Sequence, residues 1–454
     1  MDSTLACLAA WMPQQRWYGA KGRRPHLRLV SWWDHESHEE SVRVRTYLIA
    51  DEGALPPVLY QVPIVARETA GVDASGPAVI GSPEPGTTLI DGPHDPAYTR
   101  ALLRLIATGA TARGPHTGAS GHPLTGAAMT PHSASVLTGE QSNTSIVYDA
   151  DGGAAPVICK VYRQLQPGLN PDIELQTALA RAGSPHVPAV FGHLEGAWPD
   201  PAGGGTVKGS LAFAQEFVAG AQDAWRVALR TAAAGRGFED DARTLGAATA
   251  EVHRTLARVL PTVEPTSGDR DAVAEAWRRR LTIAIAEVPD LADRRGAIQD
   301  VYDRALGASW PRLQRIHGDY HLGQVLRVPG GQWILLDFEG EPMRPMRERL
   351  LPDLALRDVA GMLRSFDYVA GSLRLSVAEH AGGDRRAREW AATARAAFLG
   401  GYAAASGAPP GDHRELLAAL ELDKAVYEAI YEARNRPSWV AIPLRAVASL
   451  SGSF

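Results

Sequence analysis

Apolar and polar positions change rhythm along the chain, and each rhythm predicts a different kind of element. Up to about residue 92, the stretches "HLRLVSWW", "SVRVRTYLIAD" and "PPVLYQVPIVAR" alternate or cluster apolar residues between turn signals. They predict strands of a small sheet domain, behind a short N-terminal helix ending at "WMPQQRWYGAKGR". Asp95 and Pro96 make an N-cap and first-turn pair for a helix over "DPAYTRALLRLIATGA". The Gly-, His- and Pro-rich stretch from Gly114 to Pro131 reads as a loop or linker, with a domain boundary near it. From Ser135 to Val218 the β rhythm returns in the order β-β-β-α-β. "SVLTGEQSNTSIVYDADGG" predicts a hairpin, "APVICKVYRQL" a strand, "NPDIELQTALARAG" a helix opened by Asn170 and Pro171, and "SLAFAQEFVAG" a further strand. After Asp223 helical periodicity dominates, broken by two strand-like pieces in "RIHGDYHLGQVL" and "WILLDFEGEP". The expected organisation is an N-terminal domain over 1–92, an intermediate region and small lobe over 93–218, and a helical lobe over 219–454.

Composition narrows the function classes. A chain of 454 residues that is 45% hydrophobic and 21% charged can bury large cores, enough for two to three domains. Its net charge of -5 and the lack of a long run of like charge exclude the electrostatic footprint of a nucleic-acid binder. A small-molecule partner is expected. Cys7 and Cys159 stand apart without a CxxC or Cys/His neighbour, and the sequence holds no stretch of about 18 apolar residues and no signal-peptide pattern. The expectation is a cytoplasmic, monomeric protein that touches no membrane.

The two strand-like pieces carry the candidate chemistry. Phosphoryl transfer needs a held nucleotide, a cation between phosphate oxygens, and an acceptor hydroxyl oriented by a carboxylate. Asp319, in the loop after His317, is placed to accept a hydroxyl proton, and Gln324 offers an amide oxygen to a metal. The buried strand "WILL" runs into Asp337, a suitable magnesium ligand. Glu339, two residues along an extended chain, lies on the same side as a second metal or substrate contact.

The HGDxHxxQ block, the following DFEGEP block and the helix "LRDVAGMLRSFDYVAG" resemble the aminoglycoside-phosphotransferase-like kinases, and more narrowly the bacterial maltokinase-like group. The resemblance runs from "QQRWYGAKGR" through "GEQSNTSIVY" to "ELDKAVYEAIYEARNRPSW", nearly the whole chain. It implies an α+β, bilobal protein-kinase-like fold with an extra N-terminal cap domain, using ATP and Mg2+. Asp319 matches the catalytic base and Asp337 the metal-binding carboxylate, while Gln324 departs from the Asn of the broader superfamily. Lys160 matches the lysine that neutralises nucleotide phosphates, and Glu174 on the next helix is placed to pair with it. Ser142, Asn143 and Thr144 at the hairpin tip are expected over the phosphates, and the backbone of Glu216 and Val218 at the adenine edge. The counterpart of Asp358 supports the backbone of the catalytic loop. His321 is read either as a substrate contact or as a histidine fixing the loop.

The acceptor is expected along the helix Glu415–Arg436. Asp423, Tyr427, Tyr431 and Arg434 share one face at three- to four-residue spacing, with Lys424 and Glu428 on the neighbouring stripe. Within the resembled group the acceptor is either maltose or glucosamine phosphorylated at its 6-hydroxyl. The departure of "QQRWYGAKGR" from the maltokinase pattern favours glucosamine, whose ammonium calls for carboxylates such as Glu339, Glu421, Asp423 and Glu428. A nucleotide-binding pseudokinase without turnover is the reading from a different class, and intact Lys160, Asp319, Gln324 and Asp337 speak against it.

Overall fold

The computed structural model describes residues 2–452 apart from 38, 72, 74–75, 125–130, 138–142, 151–154, 201–202, 343 and 377–382. The chain divides into two compact units, one made of residues 1–174 and 188–219, the other of 175–187 and 220–454.

In the first unit, α1 (Asp2–Trp11) precedes β1 (Leu27–His35), β2 (Arg43–Asp51), β3 (Val58–Glu68), β4 (Val79–Glu84) and β5 (Thr87–Asp91), which pair antiparallel in the order β1-β2-β3-β5-β4. Trp17 and Tyr18 of "QQRWYGAKGR" are buried in the core of this sheet with Leu8, Met12 and Tyr60, while Arg16, Lys21 and Arg23 stay exposed. The motif is therefore an apolar plug with a solvated basic rim. Helix α2 (Pro96–Thr108) starts as the sequence predicts: Asp95 accepts from the amide of Ala97, and Pro96 occupies the first turn.

A second sheet follows, made by β6 (Thr111–Gly114), β7 (Thr117–Pro123), β8 (Pro131–Val136), β9 (Asn143–Ala150), β10 (Val157–Tyr162), β12 (Val190–Pro199) and β13 (Thr206–Glu216) in the order β6-β7-β12-β13-β10-β9-β8. Two short elements lie between β10 and β12: β11 (Gln164–Leu165), which pairs with β3, and α3 (Pro171–Arg181), whose residues divide between the units. Two expectations are corrected here. The stretch read as a linker holds the end of β6 and all of β7, and its glycines mark close packing: a Cβ on Gly121 would lie 1.9 Å from the carbonyl oxygen of Leu105, and one on Gly114 1.7 Å from that of Trp32. The expected order β-β-β-α-β also omits β12, which follows α3 and whose burial alternates residue by residue. Cys159 on β10 has no exposed surface, and burial pushes its thiol up to about 12.

The second unit is helical: α4 (Ala224–Ala233), α5 (Glu239–Val259), α6 (Ser267–Glu287), α7 (Arg295–Gly307), α8 (Met346–Arg349), α9 (Leu356–Ser376), α10 (Gly383–Ser406), α11 (Arg414–Asn435) and α12 (Ala441–Gly452). A small antiparallel sheet interrupts it, formed by β14 (Gln222–Asp223), β15 (Val325–Arg327) and β16 (Trp333–Leu335). Helices α5 and α10 approach through reciprocal glycines. A Cβ on Gly246 would sit 2.1 Å from the carbonyl oxygen of Phe398, and one on Gly401 1.9 Å from that of Arg243. Among the described residues no helix is long and apolar enough to cross a membrane.

Candidate active site

The loop after α7 is held at both ends of its HGD segment. Asp358 near the start of α9 accepts from the amides of His317 at 2.8 Å and Gly318 at 2.9 Å, and from His253 Nε2 at 3.0 Å. Tyr402 pairs with His253 Nδ1 at 2.9 Å. The His317 ring ties the loop to the end of β16: its Nε2 donates to the carbonyl of Leu336 at 2.8 Å, its Nδ1 accepts from the amide of Asp319, and its face lies 4.6 Å from the ring of Phe338. Gly318 has φ +83, and a Cβ there would meet Gly340 Cα at 3.2 Å. Each member of the HGD triplet has a separate task, and the result is a carboxylate aimed from a fixed turn.

The His317 ring thus links the backbone of Asp319 to that of Leu336, which precedes Asp337. Gln324 Nε2 donates to Asp337 Oδ2 at 2.8 Å, and the amide of Leu336 donates to the carbonyl of Gln324 at 2.9 Å. Asp337 has φ +65, an uncommon conformation for a residue with a side chain. Glu339 is half-buried two residues on, and its carbonyl accepts from Arg349 Nη1 at 3.4 Å. The Gln324 amide oxygen and the Asp337 carboxylate are hard oxygen donors of the kind magnesium takes.

Asp319 Oδ1 accepts from Lys424 Nζ at 3.1 Å, and the same ammonium donates to Glu341 Oε1 at 2.6 Å. Burial works against the Lys424 charge, yet Glu341 and then Asp319 hold its pKa above the ordinary lysine range. Burial would likewise raise Glu341, but Lys424, Arg280 and Arg357 hold it down at about 2. Asp423 pairs with Arg280 and lies 3.7 Å from Arg357. Among the described residues, Glu341 Oε2 and Asp423 Oδ1 are buried without a hydrogen-bond partner. Both residues line a cavity of about 430 Å³ that also takes in Trp277, Arg280, Arg357 and Tyr427. That volume suits a small ligand.

The structure sorts the residues expected on α11. Asp423 and Tyr427 line the cavity, and Lys424 turns to Asp319. Glu421 and Glu428 are corrected as pocket acids: Glu421 is paired with Arg395 and Glu428 with the buried Arg364, each at 2.7 Å, because a buried carboxylate needs a cation. Tyr431 is exposed beneath Arg436, and Arg434 pairs with Glu287 at the surface. His321 Nδ1 accepts from the amide of Gly323 at 3.0 Å, fixing the short turn Leu322–Gln324. Burial lowers its pKa. Glu341 escaped sequence reasoning although it lies inside DFEGEP. Extrapolating the strand period from Asp337 selects Glu339, whereas Gly340, at φ +75, turns the chain between them.

In the first unit Lys160 Nζ donates to Asp172 Oδ2 at 3.0 Å, and Asp172 has no exposed surface. Asp172, which the lysine bonds, stands in the first turn of α3 together with the expected Glu174. Asn143 and Thr144 open β9, and Thr144 Oγ1 accepts from Arg163 Nε at 2.8 Å; Ser142 lies outside the described residues. The amide of Glu216 donates to the carbonyl of Ala189 at 2.8 Å, so its carbonyl is the backbone group it can offer a base; Val218 follows, half-buried.

Residues 11–95 match the family described as maltokinase N-terminal cap domain, and residues 133–416 match the phosphotransferase enzyme family. A glucosamine kinase of Streptacidiphilus jiangxiensis is 31% identical over 342 residues, which cover 70% of this chain and 74% of the relative. A glucosamine kinase of Mycolicibacterium smegmatis is 31% identical over 348 residues, covering 72% and 82%. The solved structure of a glucosamine kinase in complex with glucosamine, ADP and inorganic phosphate covers 98% of both chains at 25% identity, with a TM-score of 0.68. With the cap and kinase regions matched in order and relatives spanning most of its length, the chain belongs to the phosphotransferase enzyme family, as a capped kinase acting on an alcohol group.

Proposed function

We propose that the protein transfers the γ-phosphoryl group of ATP to the 6-hydroxyl of D-glucosamine, giving ADP and D-glucosamine 6-phosphate in the cytoplasm. The observation that carries the reading is the fixed Asp319 carboxylate together with the Gln324–Asp337 pair, in a chain whose relatives are glucosamine kinases. Asp319 takes the proton of the attacking hydroxyl, and Lys424 on its Oδ1 holds the carboxylate in orientation. Lys160, steadied by Asp172, offers its charge to nucleotide phosphates, with Glu174 a second acid on the same helical turn.

Gln324 and Asp337 fit a magnesium ion by donor chemistry: the Gln324 amide nitrogen is spent on Asp337, so its oxygen is the atom it can offer, next to a carboxylate. A magnesium ion held by Gln324 and Asp337 would supply positive charge against the negative charge that develops on the transferring phosphoryl group. The buried Glu341 Oε2 and Asp423 Oδ1 supply acceptors for the hydroxyl and ammonium hydrogens of an amino sugar. Acceptors of this kind penalise a sugar that leaves them unpaired.

Magnesium-dependent ADP release against glucosamine, glucose, N-acetylglucosamine, maltose and an aminoglycoside tests the reading. Turnover with glucosamine, and a product phosphorylated at carbon 6, is expected. Turnover with maltose alone would overturn it in favour of the maltokinase alternative, for which the cap match over residues 11–95 speaks.

A further inference from the structure

Arg163 is a buried charge that the chemistry above leaves unused. It stands between β10 and β11 with no exposed surface. Its Nη2 donates to Asp91 Oδ2 at 2.6 Å, its Nε donates to Thr144 Oγ1 at 2.8 Å, and its guanidinium lies 5.0 Å from the ring centre of Trp17. An arginine cannot shed its proton to ease burial, so Asp91 at the end of β5 must balance it.

Its partners come from three distant places. Trp17 belongs to the motif near the N-terminus, Asp91 ends the last strand of the cap sheet, and Thr144 opens the strand β9 that leaves the nucleotide-covering hairpin. The backbone around Arg163 is stitched to the same sheet. Gln61 of β3 donates to it twice, from its amide to the carbonyl of Arg163 at 2.8 Å and from its Nε2 to that of Tyr162 at 2.9 Å. Gln164 Nε2 donates to the carbonyl of Trp17 at 3.0 Å. The strand bearing Lys160 therefore runs straight into the cap.

We propose that Arg163 is a positioning residue through which the cap fixes Thr144 and the start of β9, and so sets the affinity for the nucleotide. The role of the hairpin rests on the kinase reading above. The cap then acts on nucleotide binding and leaves the sugar pocket alone.

Asp91→Asn in the full-length protein removes the balancing charge without touching β9. ADP affinity by calorimetry and KM for ATP should weaken about fivefold, a change of the size one ordinary hydrogen bond makes. KM for glucosamine and kcat should stay within about twofold, since the sugar site shares no partner with Arg163. A variant with a lower Tm but wild-type ADP affinity, assayed well below that Tm, would overturn the proposal. Should Asp91→Asn fail to fold, Trp17→Phe weakens the stacking while keeping an aromatic ring and is read the same way. Combining Asp91→Asn with Thr144→Val separates bracing from direct contact: shared action makes the double variant little worse than either single one, whereas fully additive losses would place Thr144 on the nucleotide independently of Arg163 and sink the idea. ADP binding requires no sugar, so a wild-type protein that binds ADP but ignores glucosamine would refute the acceptor and leave this test standing.

Discussion

Asp319 and Glu341 share one ammonium, and the two carboxylates answer to different measurements. Asp319→Asn keeps a group that Lys424 can donate to but removes the proton acceptor, so turnover should drop by about 100- to 10,000-fold while ADP affinity is unchanged. Persisting turnover would remove Asp319 from the role of base. Glu341 titrates near 2 against an ordinary 4.5, so its ionised form contributes stability that is complete above 4.5 and is lost as pH falls toward 2. Urea midpoints followed from pH 6 down to 3 should therefore fall less steeply for Glu341→Gln than for the wild type, from a lower starting value. An identical slope would mean that Glu341 is not held by Lys424, Arg280 and Arg357 in solution. At this scale the HGDxHxxQ and DFEGEP blocks singled out Asp319, Gln324 and Asp337, and Asp358 bonds the backbone of the HGD turn as the family resemblance implies. Glu341, Asp172 and Arg163 were illegible in the sequence, since what makes them matter is which cation or carboxylate the fold brings beside them.

Secondary elements were legible wherever the apolar rhythm stood alone. Helix α2 announces itself through Asp95 and Pro96, and α11 falls at Arg414–Asn435, against an expected start at Glu415 and end at Arg436. The rhythm failed where glycine serves close packing: β6, β7 and β12 carry Gly114, Gly121, Gly192 and Gly196, which single-sequence rules read as breakers. The α5–α10 seam offers a sharp check of that lesson. Gly246→Ala and Gly401→Ala force a methyl group against a carbonyl and should each cost about 1–3 kcal/mol, lowering the Tm measured by calorimetry. Gly400→Ala, one residue from Gly401 on the same helix but with nothing within 4 Å, should raise stability by about 0.5–1 kcal/mol. Equal effects at 400 and 401 would contradict the described packing. Because α5 also carries Thr249 and His253, which bond Tyr320 and Asp358, the two destabilised variants should lose kcat as well.

For the molecule as a whole, ligand binding and stability are one equilibrium. On the proposed function, ADP with magnesium should bind the native chain and raise its Tm, by the equivalent of about 2.7 kcal/mol at a hundredfold excess over Kd. Chelating the magnesium should abolish most of that rise and all turnover; a full shift without the metal would count against Gln324 and Asp337 as its holders. The two cysteines give the chain a further property. Cys7 is half-buried, whereas Cys159 is sealed inside β10, next to Lys160. A thiol pushed to about 12 reacts only when its strand is exposed, so in a folded sample a thiol reagent should label one position and reach the second at the rate at which that sheet opens. The protein thus carries its own clock for the strand that bears Lys160, readable by mass spectrometry without adding a dye, and nucleotide should slow it.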